Sequence, residues 1–137
     1  MPDRPDADPI VISVCVSCRA PASSDESRPD ESRPGATLLA ALQAEAPRDV
    51  SVRPVQCLSV CKRPCTAALT GPGRYTYVFG DIDPATGAAD LLACADTYRT
   101  REHGYLLWRE RPESLRRGIV VRVPPLDWAA PDGAHPR

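Results

Sequence analysis

Six cysteines in a chain of 137 residues are the feature of this sequence that could most readily do chemistry. Five of them fall in two short stretches, one with Cys15 and Cys18 and the other with Cys57, Cys61 and Cys65. In a reducing compartment, cysteines serve metal or redox chemistry more often than structural disulfides. The clustering therefore predicts a metal or redox site built from these five residues.

The pair Cys15 and Cys18 also has the C-x2-C spacing of thiol-disulfide enzymes. In thioredoxins, however, a helix follows this motif at once, whereas here Arg19 leads into a polar segment. We therefore expect no helix N-terminus at this site to lower a thiol pKa, and a thiol-disulfide enzyme is the weaker hypothesis. His103 and His135 are isolated and no Gly-rich phosphate loop occurs, so we expect a protein that is not an enzyme.

The elements that must position the cysteines can be read from periodicity and turn residues. A β-branched run at 10–16 and an alternating run at 50–55 predict strands, and leucines at helical spacing predict a helix over 35–46. Further on, the sequence predicts a hairpin of residues 66–70 with 75–79 and a second helix over 84–100. One or two helical turns over 111–118 and an extended tail over 118–126 complete the prediction. In the second helix Cys94 shares one face with Leu91, Ala95 and Tyr98, which favours a buried small hydrophobe over a metal ligand.

The order strand, helix, strand, hairpin, helix predicts an α/β protein with a thioredoxin-like fold and a mixed, four-stranded sheet. In a βαβ unit the strands run parallel, so the loops that leave their C-terminal ends emerge at the same edge. Cys15 and Cys18 leave the first predicted strand, and Cys57 leaves the second. Since neighbouring strands lie about 4.8 Å apart, two cysteine-bearing loops can converge on one site.

The spacing of the cysteines leaves the metal open. Zinc accepts four thiolates, although its structural sites usually pair C-x2-C to C-x4-C knuckles, so that C-x2-C followed by C-x3-C fits loosely. A [2Fe-2S] cluster is also held by four thiolates.

The segment from 57 to 68, CLSVCKRPCTAA, together with the following hairpin and TYVFGDI, resembles the thioredoxin-like [2Fe-2S] ferredoxins and the related small subunit of NADH dehydrogenases. The matching positions are Cys57, Leu58, Cys61, Pro64, Pro72, Gly73 and Tyr77. The resemblance implies a [2Fe-2S] cluster, with zinc as the alternative, bound by Cys15, Cys18, Cys57 and Cys61. It also implies an electron carrier with a redox partner protein.

One spacing departs from that pattern. The ferredoxins usually separate their first two ligands by four or more residues, whereas two residues separate Cys15 from Cys18. Cys65 is the substitute for Cys18 as fourth ligand. Because Pro64 interrupts a helix, joint use of Cys57 and Cys65 requires a folded-back loop.

The whole chain is also similar to a bacterial family of predicted metal-binding proteins of unknown function, often associated with cobalamin synthesis. Four stretches carry this resemblance, VCVSCR at 14–19, CLSVCKRPCTAAL at 57–69, RYTYVFGDI at 74–82 and ERPESLRRGIVVRVPP at 110–125. The resemblance implies a metal-binding protein that serves cobalamin synthesis, and a zinc- or cobalt-delivery module is the alternative to an electron carrier.

Charge and composition restrict the partners. Seventeen Lys and Arg against 18 Asp and Glu give a net charge of -1, so we expect neither nucleic acid nor an anionic membrane surface as a partner. The start lacks the order of a secretory signal, and we expect a cytoplasmic protein. Homodimer formation stays open.

We expect one domain over residues 10–126, with flexible termini at 1–9 and 127–137. A polar loop insertion at 20–34 contains the tandem repeat DESRP, at 25–29 and 30–34.

Overall fold

The computed structural model describes residues 10–16, 34–58 and 65–126, which form a mixed sheet with helices packed against it. Both predicted flexible termini, nearly all of the predicted insertion at 20–34, Cys18 and Cys61 lie outside the described residues.

In the part of the chain that the structure describes, five strands form the sheet in the spatial order β2-β1-β3-β4-β5. β1 pairs parallel with β2 and antiparallel with β3, and β4 and β5 continue the antiparallel part. This confirms the predicted βαβ unit with a following hairpin. The bounds of the strands are Ile10–Cys15, Val50–Val55, Ala67–Thr70, Thr76–Phe79 and Ile119–Val123.

The prediction of four strands is wrong. The extended segment after Gly118 continues the sheet as β5, in which Val121 lies opposite Val78 and Val123 opposite Thr76. A register shift between Val78 and Phe79 accompanies this pairing. The apolar run of the tail therefore forms an edge strand.

The described residues also form three α-helices, α1 (Pro34–Glu45), α2 (Gly87–Thr100) and α3 (Glu113–Arg116), together with 3-10 turns at Glu102–Gly104 and Trp108–Glu110. α2 begins three residues later than the sequence predicts. The Asp83 carboxylate accepts a hydrogen bond from the Ala85 N–H at 2.8 Å, and the Asp83 carbonyl accepts one from Gly87. A local turn thus replaces the first predicted helical turn.

The core lies between one face of the sheet and the two long helices. β1 contributes Ile10, Ile12 and Val14, which alternate along the strand with Val11, Ser13 and Cys15. Because successive side chains of a strand point to opposite faces, the second set faces away from the helices. The same core contains Leu38 and Leu42 of α1, Leu91, Cys94, Ala95 and Tyr98 of α2, and Leu69, Tyr77 and Phe79 of the hairpin.

Hydroxyl groups of two buried tyrosines tie the hairpin to the chain around α2. The Tyr98 hydroxyl donates to the Tyr75 carbonyl, and the Tyr77 hydroxyl accepts from the Leu106 N–H at 2.8 Å. Burial raises the pKa of both tyrosines.

Within the described ranges, no helix has the length and apolarity required to cross a membrane.

Cys94 is 1% exposed within this core, as the sequence predicts for a buried small hydrophobe. Burial raises the pKa of its thiol to about 12, whereas a thiol in an unfolded chain ionises near about 8.5. The folded state therefore resists ionisation. The stability that the buried, neutral Cys94 thiol contributes is fully present below the unfolded pKa. It is lost as the pH rises from the unfolded pKa toward the folded pKa.

We expect Cys94→Ala to lower the free energy of unfolding by about 1–2 kcal/mol at neutral pH, because it removes buried volume. Between about pH 8 and pH 10.5, however, the variant should lose about 2 kcal/mol less stability than the parent chain. Urea unfolding at a series of pH values measures both. The tyrosines titrate in both proteins, and of their interactions the substitution removes the repulsion between an ionised Cys94 and Tyr98, which adds to the same difference. Parallel alkaline slopes would contradict the expectation.

Candidate metal centre

The carboxyl ends of the two parallel strands bring two of the predicted ligands to one edge of the sheet. Cys15 is the last residue of β1 and lies opposite Val55, the last residue of β2. The Val16 N–H donates to the Val55 carbonyl at 3.0 Å, so the pairing continues one residue beyond the strand. Cys57 follows Val55 by two residues, and the predicted convergence of the two strand ends is therefore confirmed.

The Cys15 thiol points toward the segment that carries Cys57. Its sulfur lies 3.7 Å from the carbonyl oxygen of Gln56, to which the thiol donates. Because a carbonyl oxygen lies within about 3 Å of the next Cα, the Cys15 sulfur is at most about 7 Å from the Cys57 Cα. The two sulfurs then lie within about 10 Å of each other in any rotamer of Cys57. Cys15 is buried and Cys57 is exposed, so the pair spans from interior to surface.

Cys65 reaches the same edge from the other side of β1. The Cys15 N–H donates to the Thr66 carbonyl at 3.1 Å, and the Ile82 N–H donates to the Cys65 carbonyl at 3.0 Å. The Cys65 side chain is 1% exposed and belongs to the core packed against the helices. Cys15 faces away from the helices, so the two thiols lie on different faces of the sheet.

The first turn of α1 packs against the end of β1. A Cβ placed on Gly35 would lie 1.9 Å from the carbonyl oxygen of Cys15 and 3.1 Å from the Val16 Cα. Only a residue without a side chain fits this approach. α1 therefore begins beside the backbone of Cys15, although 18 residues separate Pro34 from Cys15 in sequence. The expectation that no helix N-terminus lowers a thiol pKa here stays a prediction.

The contact is made with the backbone of Cys15. The N-terminus of a helix carries a partial positive charge, but the Cys15 thiol lies on the face of the sheet away from the helices, so this contact does not bring the helix N-terminus to the thiol.

Two of the predicted ligands, Cys18 and Cys61, lie outside the described residues. Among residues 10–16, 34–58 and 65–126, no group of three or more His, Cys, Asp or Glu side chains could hold a metal ion. Cys15, Cys57 and Cys65 therefore form no complete site by themselves. The choice between Cys18 and Cys65 as fourth ligand stays a prediction.

Sequence reasoning missed Gly35 and Asp81 at this edge. Asp81 follows β4, is exposed and has a φ of 57°, a conformation that aspartate tolerates better than most residues. Gly35 could have been noticed as a glycine in the first turn of a helix, where it weakens the helix unless packing requires it. Asp81 offers no comparable signal in the sequence.

Comparison with known proteins gives one family and two solved structures. A family model described as "Protein of unknown function (DUF1636)" matches residues 12–125. No curated protein matches.

Both structures are of a thioredoxin-like [2Fe-2S] ferredoxin from Aquifex aeolicus. The first is 13% identical, with a TM-score of 0.48 over 89% of this chain and 99% of that chain. The second is 15% identical, with a TM-score of 0.48 over 83% of this chain and 98% of that one.

Proposed function

This chain belongs to the protein family of unknown function DUF1636. From the chain's own residues, we propose that it is a small metal-binding protein, which carries one [2Fe-2S] cluster and passes single electrons to a partner protein. The proposed ligands are Cys15, Cys18, Cys57 and Cys61. No catalytic residue is assigned, and the redox partner is a protein.

The observation that carries the proposal is the position of the Cys15 thiol beside the peptide that leads into Cys57. Each of these cysteines begins a short cysteine pair in the sequence, Cys15 with Cys18 and Cys57 with Cys61. Convergence of the two strand ends therefore supports a four-thiolate donor set, which is the set that a [2Fe-2S] cluster requires.

Burial favours Cys18 over Cys65 as the fourth ligand in this proposal. The Cys65 side chain packs among apolar core residues, on the face of the sheet opposite to Cys15. Recruiting it would expose part of the core, whereas only two residues separate Cys18 from Cys15 in the chain. We assign Cys65 a structural role.

A bound cluster would supply one-electron chemistry. The chain would contribute the four thiolates, and the first turn of α1 would fix the backbone of Cys15 beside them. Hydrogen bonds to the sulfurs and solvent exposure would then set the potential of the iron-sulfur centre. Service in cobalamin synthesis is part of the proposal and is supported by the sequence resemblance alone.

Metal analysis tests the proposal directly. Protein purified under anaerobic conditions should be brown, should contain about two iron and two sulfide per chain, and should give a [2Fe-2S] electron paramagnetic signal after reduction. A colourless protein with stoichiometric zinc from the same preparation would refute the electron carrier.

The zinc result would instead favour the second candidate, a zinc- or cobalt-binding delivery module. The C-x2-C spacing of Cys15 and Cys18 is the observation that keeps this candidate, because structural zinc sites use such knuckles. Competitive titration with a chromogenic chelator would then measure whether the affinity for zinc or cobalt exceeds that of ordinary cellular thiols.

A further inference from the structure

The two edges of the sheet differ in how they are protected. β2 forms one edge and contains Pro54, which has no N–H to offer, and the exposed residues Ser51 and Arg53. Proline and charged side chains are the usual means by which proteins prevent an edge strand from pairing with another chain. The β2 edge is therefore closed to further strands.

The opposite edge has no proline within its strand and carries one charged residue, Arg122. β5 pairs with β4 on one side, and among the described residues no strand lies on its other side. Its sequence IVVRV contains no proline, and Val120, Val121 and Val123 are 36%, 45% and 47% exposed. An exposed apolar edge strand of this kind offers backbone hydrogen bonds and side-chain contacts to an added strand.

The one charged residue of β5 leaves the edge accessible. Arg122 lies opposite Tyr77 on β4, and its guanidinium lies 4.9 Å from the ring centroid of Tyr105. The side chain thus stacks on an aromatic ring of the domain. Its guanidinium therefore lies against the domain at this ring.

Charge distinguishes between the segments that could pair there. Arg117 precedes β5 and Arg122 lies within it, and residues 114–126 contain no carboxylate. The nearby Arg116 guanidinium instead stacks on Trp108 and donates to backbone carbonyls. Pairing of β5 with a second copy of itself would bring like charges together, which is unfavourable across a sheet. An acidic segment would meet opposite charges instead.

We propose that β5 is a docking edge at which an extended, acidic segment of a partner protein adds a sixth strand, with apolar side chains over Val121 and Val123 and carboxylates near the arginines. This inference does not depend on the metal, because every observation behind it lies in β5 and its flanking residues.

Synthetic peptides test the proposal with the full-length protein. The probe is a fluorescent peptide with the core Glu-Val-Glu-Val-Glu-Val, compared by polarisation with a Lys-Val peptide of the same length. A third peptide keeps the acidic sequence but has methylated backbone nitrogens on alternate residues, which prevents strand pairing. The acidic peptide should bind at least about tenfold more tightly than either control, and added salt should weaken its binding.

Variants locate the binding. Val121→Asp places a carboxylate on the edge and should reduce affinity for the acidic peptide about tenfold or more, whereas Ser51→Asp on the β2 edge should leave it unchanged. Arg122→Glu should reverse the preference between the acidic and the Lys-Val peptide. Val121 and Ser51 are exposed, so both aspartate variants should fold, and circular dichroism checks this.

Three outcomes would overturn the proposal. The first is no binding of the acidic peptide up to about 1 mM, or equal binding of all three peptides. The second is a dimer in sedimentation that Val121→Asp dissociates, since a second copy would then occupy the edge. The third is strong hydrogen-exchange protection of the outward β5 amides in the isolated monomer, because the chain itself would then cover them.

Discussion

Replacement of Cys57 by alanine is expected to abolish cluster binding and leave the fold intact. Cys57 is exposed and lies in the loop after β2, so its removal should change the stability of the metal-free chain by less than about 0.5 kcal/mol. The proposed site, however, would lose one of four thiolates. Iron and sulfide should fall from about two per chain to near zero, with loss of the visible absorption.

Cys65→Ala is the matched control for this substitution. It removes the same thiol group from the same edge of the sheet, but from the core face, where Cys65 is 1% exposed. We expect full iron content and a loss of about 1–2 kcal/mol in unfolding free energy. The reverse pattern, with metal lost in Cys65→Ala and kept in Cys57→Ala, would exclude Cys57 from the ligand set and place Cys65 in it.

Gly35→Ala is expected to destabilise the protein by about 3 kcal/mol, although alanine is the better helix former by about 1 kcal/mol. The added Cβ would meet the Cys15 carbonyl oxygen at 1.9 Å, and a backbone atom cannot rotate away as a flexible side chain can. Either α1 or the end of β1 must move. Because β1 ends at Cys15, we also expect weaker metal retention, measured as the rate of iron loss to a chelator.

Ala40→Gly provides the control in the same helix. Ala40 is exposed in the middle of α1, and glycine there should cost about 1 kcal/mol through helix propensity alone. Iron loss should then match that of the parent protein. If Gly35→Ala were neutral or stabilising in thermal unfolding, close packing of α1 on Cys15 would not determine the geometry of this edge.

Local sequence signals predicted most of the fold because those signals agree with the tertiary packing. The β-branched run at 10–16 forms β1, and the turn residues Gly71 to Gly73 join β3 to β4, with a φ of 67° at Gly73. The fifth strand was missed for a physical reason. An apolar run such as IVVRV indicates extended structure, but its place at an exposed edge depends on pairing with Thr76 to Phe79, which the local pattern does not specify.

The site was predictable as far as topology determines it. Parallel pairing of β1 with β2 follows from the βαβ order, and it carries Cys15 to the Gln56–Cys57 peptide. The role of Gly35 could not be deduced, because its contact joins residues 20 positions apart through the return of the chain after the polar segment. Likewise, sequence alone made Cys65 a plausible ligand, and only its burial in the core shows which face it occupies.

The close contact between Gly35 and the Cys15 carbonyl also explains how this chain accommodates a repeated pentapeptide. The chain leaves the sheet after Val16 and re-enters at α1, and these two anchor points already touch. The entropy of closing a loop between fixed ends grows only with the logarithm of its length, by about 0.6 kcal/mol for each doubling. A change in the number of residues between Val16 and Pro34 should therefore cost little stability, provided that both anchor points are kept.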